Sequence, residues 1–474
     1  VPSIGYGSFP LFKQWRGAIG FMLHPVAYMK EGYAKHKDSY FKISTLQDEY
    51  VIVSDKEKIA EYLAAPDHVL NFQDGANDAV QIPWTMGYGV AHRTYHVPAV
   101  RITLTQHIAA NIAGMLEQIH EGMDTLIGKP ADWVEVPIYD VIVKIVAKVS
   151  NRAFSGTLLC QNEQHLNNAI AYAQDVFLSS EIIRAFPNWL KPFLIMLTPI
   201  YRRRRLAIKL MGSIVQERLD TDYEAQGKKK PDDMIQWLVD SAPPIERTMP
   251  QIVERIMALN VASIHTTTMT LTSALYILGA EWEKYTPILR AEVRQHCEGG
   301  EITKQTLGKL VKLDSFLRES GRFNNTGLVS LNRNARKEFR FKDGTVIPAG
   351  ARVGAPSLAI HNDPQYYLEP EKFDGFRFSR MREESAKPMK HQMVSTDIDY
   401  LPFGHGKHAC PGRFFAVNEM KLIFANLLLR YDLKLIPGTA PARMFIGTMA
   451  IPETKLKVLM RSIPIQKSHA AAEA

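Results

Sequence analysis

Ten residues near the C-terminal end, 403–412, read FGHGKHACPG, and RFFAVNEMKLIFANLLL follows them. No other feature limits the fold of this chain as much. Three glycines and a proline surround a single cysteine, Cys410, and the run behind it reads as a long apolar helix. Glycine lets a backbone take positive φ and approach a flat ligand closely. Cys410 falls near a helix N-terminus, where the positive end of the dipole favours a thiolate. A thiolate in such a turn, with no second cysteine nearby, suits one axial bond to haem iron. Structural zinc needs about four ligands at short spacings, and this chain has only Cys160, Cys297 and Cys410. A cysteine in a glycine-rich turn more often serves structure alone, so the rest of the chain decides.

Two further patterns bear on it. In LDSFLRESGRF, Glu319 and Arg322 are three residues apart, which puts both on one face of a helix. Leu310, Leu313 and Leu317 follow the same helical spacing. A surface ion pair worth ~0.2–0.5 kcal/mol is the ordinary outcome of that spacing. The stretch 252–280 is apolar nearly all round and predicts a buried helix. Its middle reads ASIHTTTMTLT, and threonines are poor helix formers. Their hydroxyls bond back to carbonyls one turn earlier and bend the helix. A buried helix that accepts this cost has a polar task at its centre. His265 in this stretch is either a core histidine or a proton relay, since imidazole titrates near neutrality.

Together these residues resemble the cytochrome P-450 family. Its haem-binding signature has the form F-x-x-G-x-R-x-C-x-G, and Phe403, Gly406, Cys410 and Gly412 match it, with His408 in place of the arginine. The resemblance implies haem b, ligated by the Cys410 thiolate, with His408 toward a propionate. Glu319 and Arg322 match the family's Glu-x-x-Arg helix, which forms a buried network with a later arginine, here Arg377 in FDGFRF. Ala262, Thr266 and Thr267 match the oxygen-binding helix pattern A/G-G-x-D/E-T-T, while Ser263 replaces the glycine and His265 the acid. By resemblance Thr266 passes protons toward dioxygen at the iron, with Thr267 and His265 beside it. His96 and Arg101 in YHVPAVRITL are candidate propionate partners, as is Arg333, with Arg336 as its rival.

The resemblance further implies a mainly α fold with a small β-rich region, enclosing haem, in a single domain spanning 1–474. It implies a monooxygenase that takes electrons from an NADPH-dependent reductase, uses dioxygen and hydroxylates a lipophilic substrate. ASIHTT, HVPAVR and FGHGKHACPGRFF look like fungal members that oxidise terpenoid or steroid skeletons; fatty acids and small aromatics are the alternatives. Two other functions stay open. One is a haem-thiolate isomerase or peroxygenase that needs no dioxygen. The other is a non-catalytic haem sensor, for which no spare segment of domain size exists. The expected pocket segments are 76–89, 177–189, 258–267, 327–330 and 445–449. They contribute Trp84, Phe177, Phe186, Val329 and Ile446, an apolar lining that suits a lipophilic substrate.

Net charge over the 474 residues is +8, without the basic and aromatic clustering of a nucleic-acid module. Arg202, Arg203, Arg204 and Arg205 follow WLKPFLIMLTPIY. That is either an apolar wedge with arginines for lipid phosphates, or a buried helix followed by a solvated face. Lys407 and Arg413 near the cysteine loop suit an acidic redox partner. Three cysteines argue against a disulfide framework and for a reducing compartment. No run of about 18 apolar residues is present, so no transmembrane helix is expected. The opening VPSIGYGSFP is similar to the phrase that follows the anchor helix in membrane-bound members. A removed anchor and the cytosolic face of the endoplasmic reticulum are the matching expectations, and SHAAAEA is expected to be a frayed tail. Periodicity predicts helices at 100–125, 162–183, 203–219, 249–280, 284–297, 304–323 and 411–430. It predicts strands within 38–54, 326–353 and 431–461.

Overall fold

The computed structural model describes residues 1–5, 13–45, 49–297 and 302–463. Most of the opening phrase and the Ala-rich tail therefore lie outside the described residues. The molecule is mainly helical, with small sheets at its edge. Its axis is the helix Met249–Ala280, which is buried along almost its whole length. Against it pack Ile138–Phe154, Glu163–Arg184, Pro199–Asp220, Val311–Phe323 and Arg413–Arg430. One apolar cluster runs through all of these helices.

Five strands form the main sheet, in the order Tyr40–Ser44, Glu49–Val53, Arg352–Ala355, Ser330–Ala335, Leu70–Asn71. The first pair is antiparallel, with Tyr40 opposite Val53. Glu49–Val53 runs parallel to Arg352–Ala355, with Tyr50 opposite Arg352. Arg333 stands opposite Val353 on the next strand. Val134–Val136, Val458–Ser462 and Tyr431–Leu435 make a second sheet.

Elements and expectation agree in kind and differ at breaks. The helix expected over 100–125 is a π-helical turn, Ala99–Leu104, and then a separate α-helix, Ile108–Leu126. The one expected over 304–323 divides at Leu310, whose ψ of 75° is not helical, into Lys304–Lys309 and Val311–Phe323. Leu310 is fully buried there, so packing holds the break. Ile138–Phe154 was not expected at all. Its run IYDVIVKIVAKV is rich in β-branched residues, which disfavour helices locally. Burial between Ile108–Leu126 and Met249–Ala280 overrides that preference.

Candidate active site

The cysteine turn has the backbone its glycines allow. Gly404 and Gly406 take φ of 65° and 74°, values that L side chains adopt only with strain. The Cys410 amide donates to the Phe403 carbonyl at 2.8 Å, and the Ala409 amide to Gly406 at 3.1 Å. Helix Arg413–Arg430 starts directly behind, and Arg413 Nη1 donates to the Cys410 carbonyl at 2.9 Å. The backbone amides of Gly412 and Arg413 and the Arg413 charge pull the thiol pKa down, but burial outweighs them and pushes it up. Desolvation therefore outweighs the local pull toward the thiolate. Packed as it is, Cys410 still keeps accessible surface, as a group on the wall of an internal space does. Gly412 has an ordinary φ of −89°. A Cβ there would meet Val100 at 3.6 Å, an ordinary contact. No close contact among the described residues demands glycine at 412.

A second wall lies on the long helix. Ala262 and Thr266 are exposed, and Ser263 and Thr270 are partly so, although the helix around them is buried. Residues four apart share one helix face, so this stripe looks into an interior space. Thr266 Oγ1 donates to the Ala262 carbonyl at 2.7 Å and lies 3.3 Å from that of Ser263. Thr268 and Thr270 bond back in the same way, to Ile264 at 2.7 Å and to Thr266 at 2.9 Å. Thr267 is buried on the packed side.

His265 does not face the stripe. Its Nε2 donates to the Ile170 carbonyl at 3.1 Å, and its Nδ1 accepts from the Tyr139 hydroxyl at 3.2 Å. The ring ties three helices together, and burial lowers its pKa against the pull of the Ile170 carbonyl. These are the bonds of a neutral core histidine.

Glu319, Arg322 and Arg377 converge. Arg322 Nε and Nη2 donate to the two Glu319 oxygens at 2.8 and 2.7 Å, a bidentate pair with both side chains fully buried. Arg377 Nε donates to Glu319 Oε1 at 3.1 Å, and its Nη1 to the Leu368 carbonyl at 2.6 Å. The network lies behind the cysteine loop. His361, whose carbonyl accepts from Arg322, takes the Leu401 amide on its Nε2 at 3.0 Å.

The five basic candidates for propionates separate. Arg333 is buried, with its guanidinium 5.3 Å from the Phe72 ring centroid. His408 stacks on the same ring at 4.7 Å, and its Nε2 lies 3.0 Å from Asp67 Oδ1. Burial lowers the His408 pKa and Asp67 opposes that. Half-buried His96 has an Nδ1 with no partner among the described residues, and burial holds its pKa down to about 4. Arg101 is exposed and reaches the Lys407 carbonyl at 3.3 Å. Arg336 is an exposed partner of Asp74.

Comparison with known proteins fits this arrangement. The Cytochrome P450 family pattern matches residues 17–460. The chain belongs to the cytochrome P450 family. It is 36% identical to cytochrome P450 monooxygenase 151 of Postia placenta, over 97% of this chain and 93% of the relative. It is 32% identical to the ent-kaurene oxidase of Gibberella intermedia, over 97% and 88%. Among solved structures it is similar in fold to the retinoic acid-bound cyanobacterial CYP120A1, with a TM-score of 0.72 at 20% identity over 98% of this chain and 99% of that one.

This P450 is therefore a monooxygenase, and a haem-thiolate cofactor goes with its family. The chain provides what such a group requires. It has a part-exposed cysteine in a glycine turn, a small-residue stripe within a buried helix, and a histidine nitrogen without a partner among the described residues. Segments expected around the pocket also meet. Leu328 donates to the Thr448 carbonyl at 2.7 Å, and Ala450 to Thr326 at 2.8 Å. Tyr172 Oη donates to the Thr85 carbonyl at 2.8 Å, tying 82–85 to helix Glu163–Arg184. Trp189, by contrast, is 71% exposed and leaves the lining.

Two residues of the site escaped the sequence reading. Glu419 is a fully buried carboxyl inside helix Arg413–Arg430, and Ser150 bonds it from Ile138–Phe154. The signal for the first was a lone acid inside an apolar helical run. Ser150 had none, because its helix was not foreseen.

Proposed function

We propose that this P450 hydroxylates a lipophilic, terpenoid-like substrate with dioxygen and electrons from an NADPH-dependent flavoprotein reductase. The observations that carry the chemistry are a part-exposed Cys410 in its glycine turn and an exposed Thr266 stripe on an otherwise buried helix. Similarity to an ent-kaurene oxidase supports a terpenoid skeleton. Cys410, within the turn of Phe403, Gly406 and Gly412, would hold haem b, and that group would supply dioxygen activation, which a thiolate favours by donating electron density. Arg333 and His96 would bind its propionates, whereas His408 gives its Nε2 proton to Asp67. Arg101 and Lys407 belong instead to the outer surface that meets an acidic redox partner.

Thr266 holds a proton at Oγ1 for the distal side of the site. His265 positions the helix through Tyr139 and Ile170 and carries no proton to the stripe. Reconstitution with reductase, NADPH and a panel of terpenoids, fatty acids and aromatics tests this function. One atom of labelled dioxygen in a hydroxylated terpenoid is the expected result. Product from fatty acids alone overturns the substrate class, and product without NADPH overturns the electron source. In Thr266→Ala, NADPH consumption should persist while product per NADPH falls by on the order of tenfold or more. Unchanged coupling removes Thr266 from proton delivery.

The P450 also rests on a membrane surface, at the cytosolic face of the endoplasmic reticulum. Among the described residues no helix is long and apolar enough to cross a bilayer. Phe186, Trp189, Phe193, Met196 and Leu197 are all exposed in and before helix Lys191–Leu197. Arg203 and Arg204 pair with Asp175 and Glu254, whereas Arg202 and Arg205 stay exposed for lipid phosphates. Replacing Trp189, Phe193 and Leu197 together by serine should lower binding to anionic vesicles at least about tenfold, since three large apolar side chains leave the interface. Unaltered flotation with vesicles would refute the contact.

A further inference from the structure

The first turns of the long helix Met249–Ala280 hold a cation with no part in the chemistry above. Arg255 is fully buried, and its Nη2 pairs at 2.6 Å with Glu246 Oε2, on a carboxylate that is itself buried. The rest of its fork reaches the backbone. Nη2 donates to the Arg93 carbonyl at 3.1 Å, and Nη1 to the Gln251 carbonyl at 3.1 Å. The guanidinium lies over Tyr95, 4.3 Å from the ring centroid. Glu246 Oε1 also accepts from the Arg93 side chain. Residues 93–95 are thus gripped by a side chain, a carbonyl and an aromatic ring. Gly89 lies one turn earlier and allows this approach, since a Cβ there would stand 2.7 Å from Glu246 Oε2.

A buried ion pair is a costly way to hold a loop. Desolvation of both ions offsets much of their attraction, and apolar side chains of similar volume often hold a chain as well. What a guanidinium adds is direction, because its planar fork fixes several partners in one orientation and stacks on an aromatic face. The residue directly after the grip is His96. It is half-buried, and its Nδ1 has no partner among the described residues. Burial first, and the Arg255 charge second, keep the ring neutral. A neutral imidazole has a single N–H, so His96 bonds a carboxylate through Nδ1 only when the loop presents that atom to it.

We propose that Arg255 is a positioning residue for haem: through Arg93 and Tyr95 it fixes the loop that presents His96 to a propionate, with Glu246 as its counterion. Arg255 acts through His96 and needs no contact with the haem. It sits about three turns before Thr266 on the same helix. One side chain therefore ties the helix that carries the open stripe to the segment that carries His96, and the two keep a common register.

The proposal rests on the propionate role of His96 given above, and a double-mutant cycle separates the two. Holoproteins are mixed with excess apomyoglobin, and haem transfer is followed by visible absorbance. His96→Phe should speed haem loss about tenfold, the effect of one lost hydrogen bond to a charged group. Arg255→Met combined with Glu246→Gln removes both buried ions together and should speed it by a similar factor. Placed on His96→Phe, that pair of changes should add less than about twofold. A merely structural Arg255 would instead multiply the two effects. Multiplied effects, or wild-type haem retention in the combined Arg255 and Glu246 variant, overturn the positioning role and leave His96 on the propionate. No change in His96→Phe overturns both. If the combined variant does not fold, Arg255→Lys carries the cycle, because it keeps a charge for Glu246 and loses the fork that reaches Arg93 and Tyr95. A wild-type protein without the red-shifted Soret band in its reduced carbon monoxide complex refutes the monooxygenase function, and this role with it.

Discussion

Cys410→Ser should abolish the strongly red-shifted Soret band of the reduced carbon monoxide complex and lower monooxygenase turnover by about three orders of magnitude. That loss corresponds to ~4 kcal/mol of barrier. The serine oxygen fits the turn, since the Cys410 amide bond to Phe403 and the Arg413 bond to the Cys410 carbonyl are both backbone contacts. The fold should survive, so far-ultraviolet dichroism should stay close to that of the wild type. What disappears is electron donation from sulfur, which no alkoxide or water at this site replaces at neutral pH. Retention of the red-shifted band in Cys410→Ser would move the axial ligand elsewhere in the chain.

Glu319→Ala should cost about 3–5 kcal/mol of stability, a large share of the ~5–15 kcal/mol that typical domains possess. The carboxylate is the shared acceptor of Arg322 and Arg377, and all three side chains are buried. Its removal strands two cations with no charge to meet them. Leu368 and His361 carbonyls remain for hydrogen bonding but supply no countercharge. Glu319→Gln keeps the shape without the charge and should fall between Ala and wild type. Thermal unfolding followed by haem absorbance measures the series. A Glu319→Ala protein that melts with the wild type would show that the network adds nothing to stability.

The contrast between these residues and His265 explains how far the chain could be read before folding. Glu319 and Arg322 sit three apart on one short helix, so their meeting is a local matter of helical period. The turn 403–412 is local in the same sense, since its glycines and its bond from Cys410 to Phe403 close within ten residues. The helix Met249–Ala280 was legible because an all-round apolar run of that length has few other fates. Ile138–Phe154 was not legible, because β-branched side chains disfavour the state that burial between two helices then imposes.

Direction was the part that no local rule supplies. One hundred degrees of rotation separate His265 from Thr266, and that step sends one side chain to Tyr139 and Ile170 and the other to the interior. Which flank of a buried helix stays open depends on what packs against the remaining flanks. The meeting of Glu419, Ser150 and Ser263 is of the same kind, as it joins positions 113 and 269 residues apart. So the residue types, their order and the identity of the thiolate candidate belong to the linear chain, where they arise from short-range geometry. The sorting of those residues into open face and buried support belongs to the packed helices, because only long-range burial decides which polar atoms find partners inside the protein and which remain free.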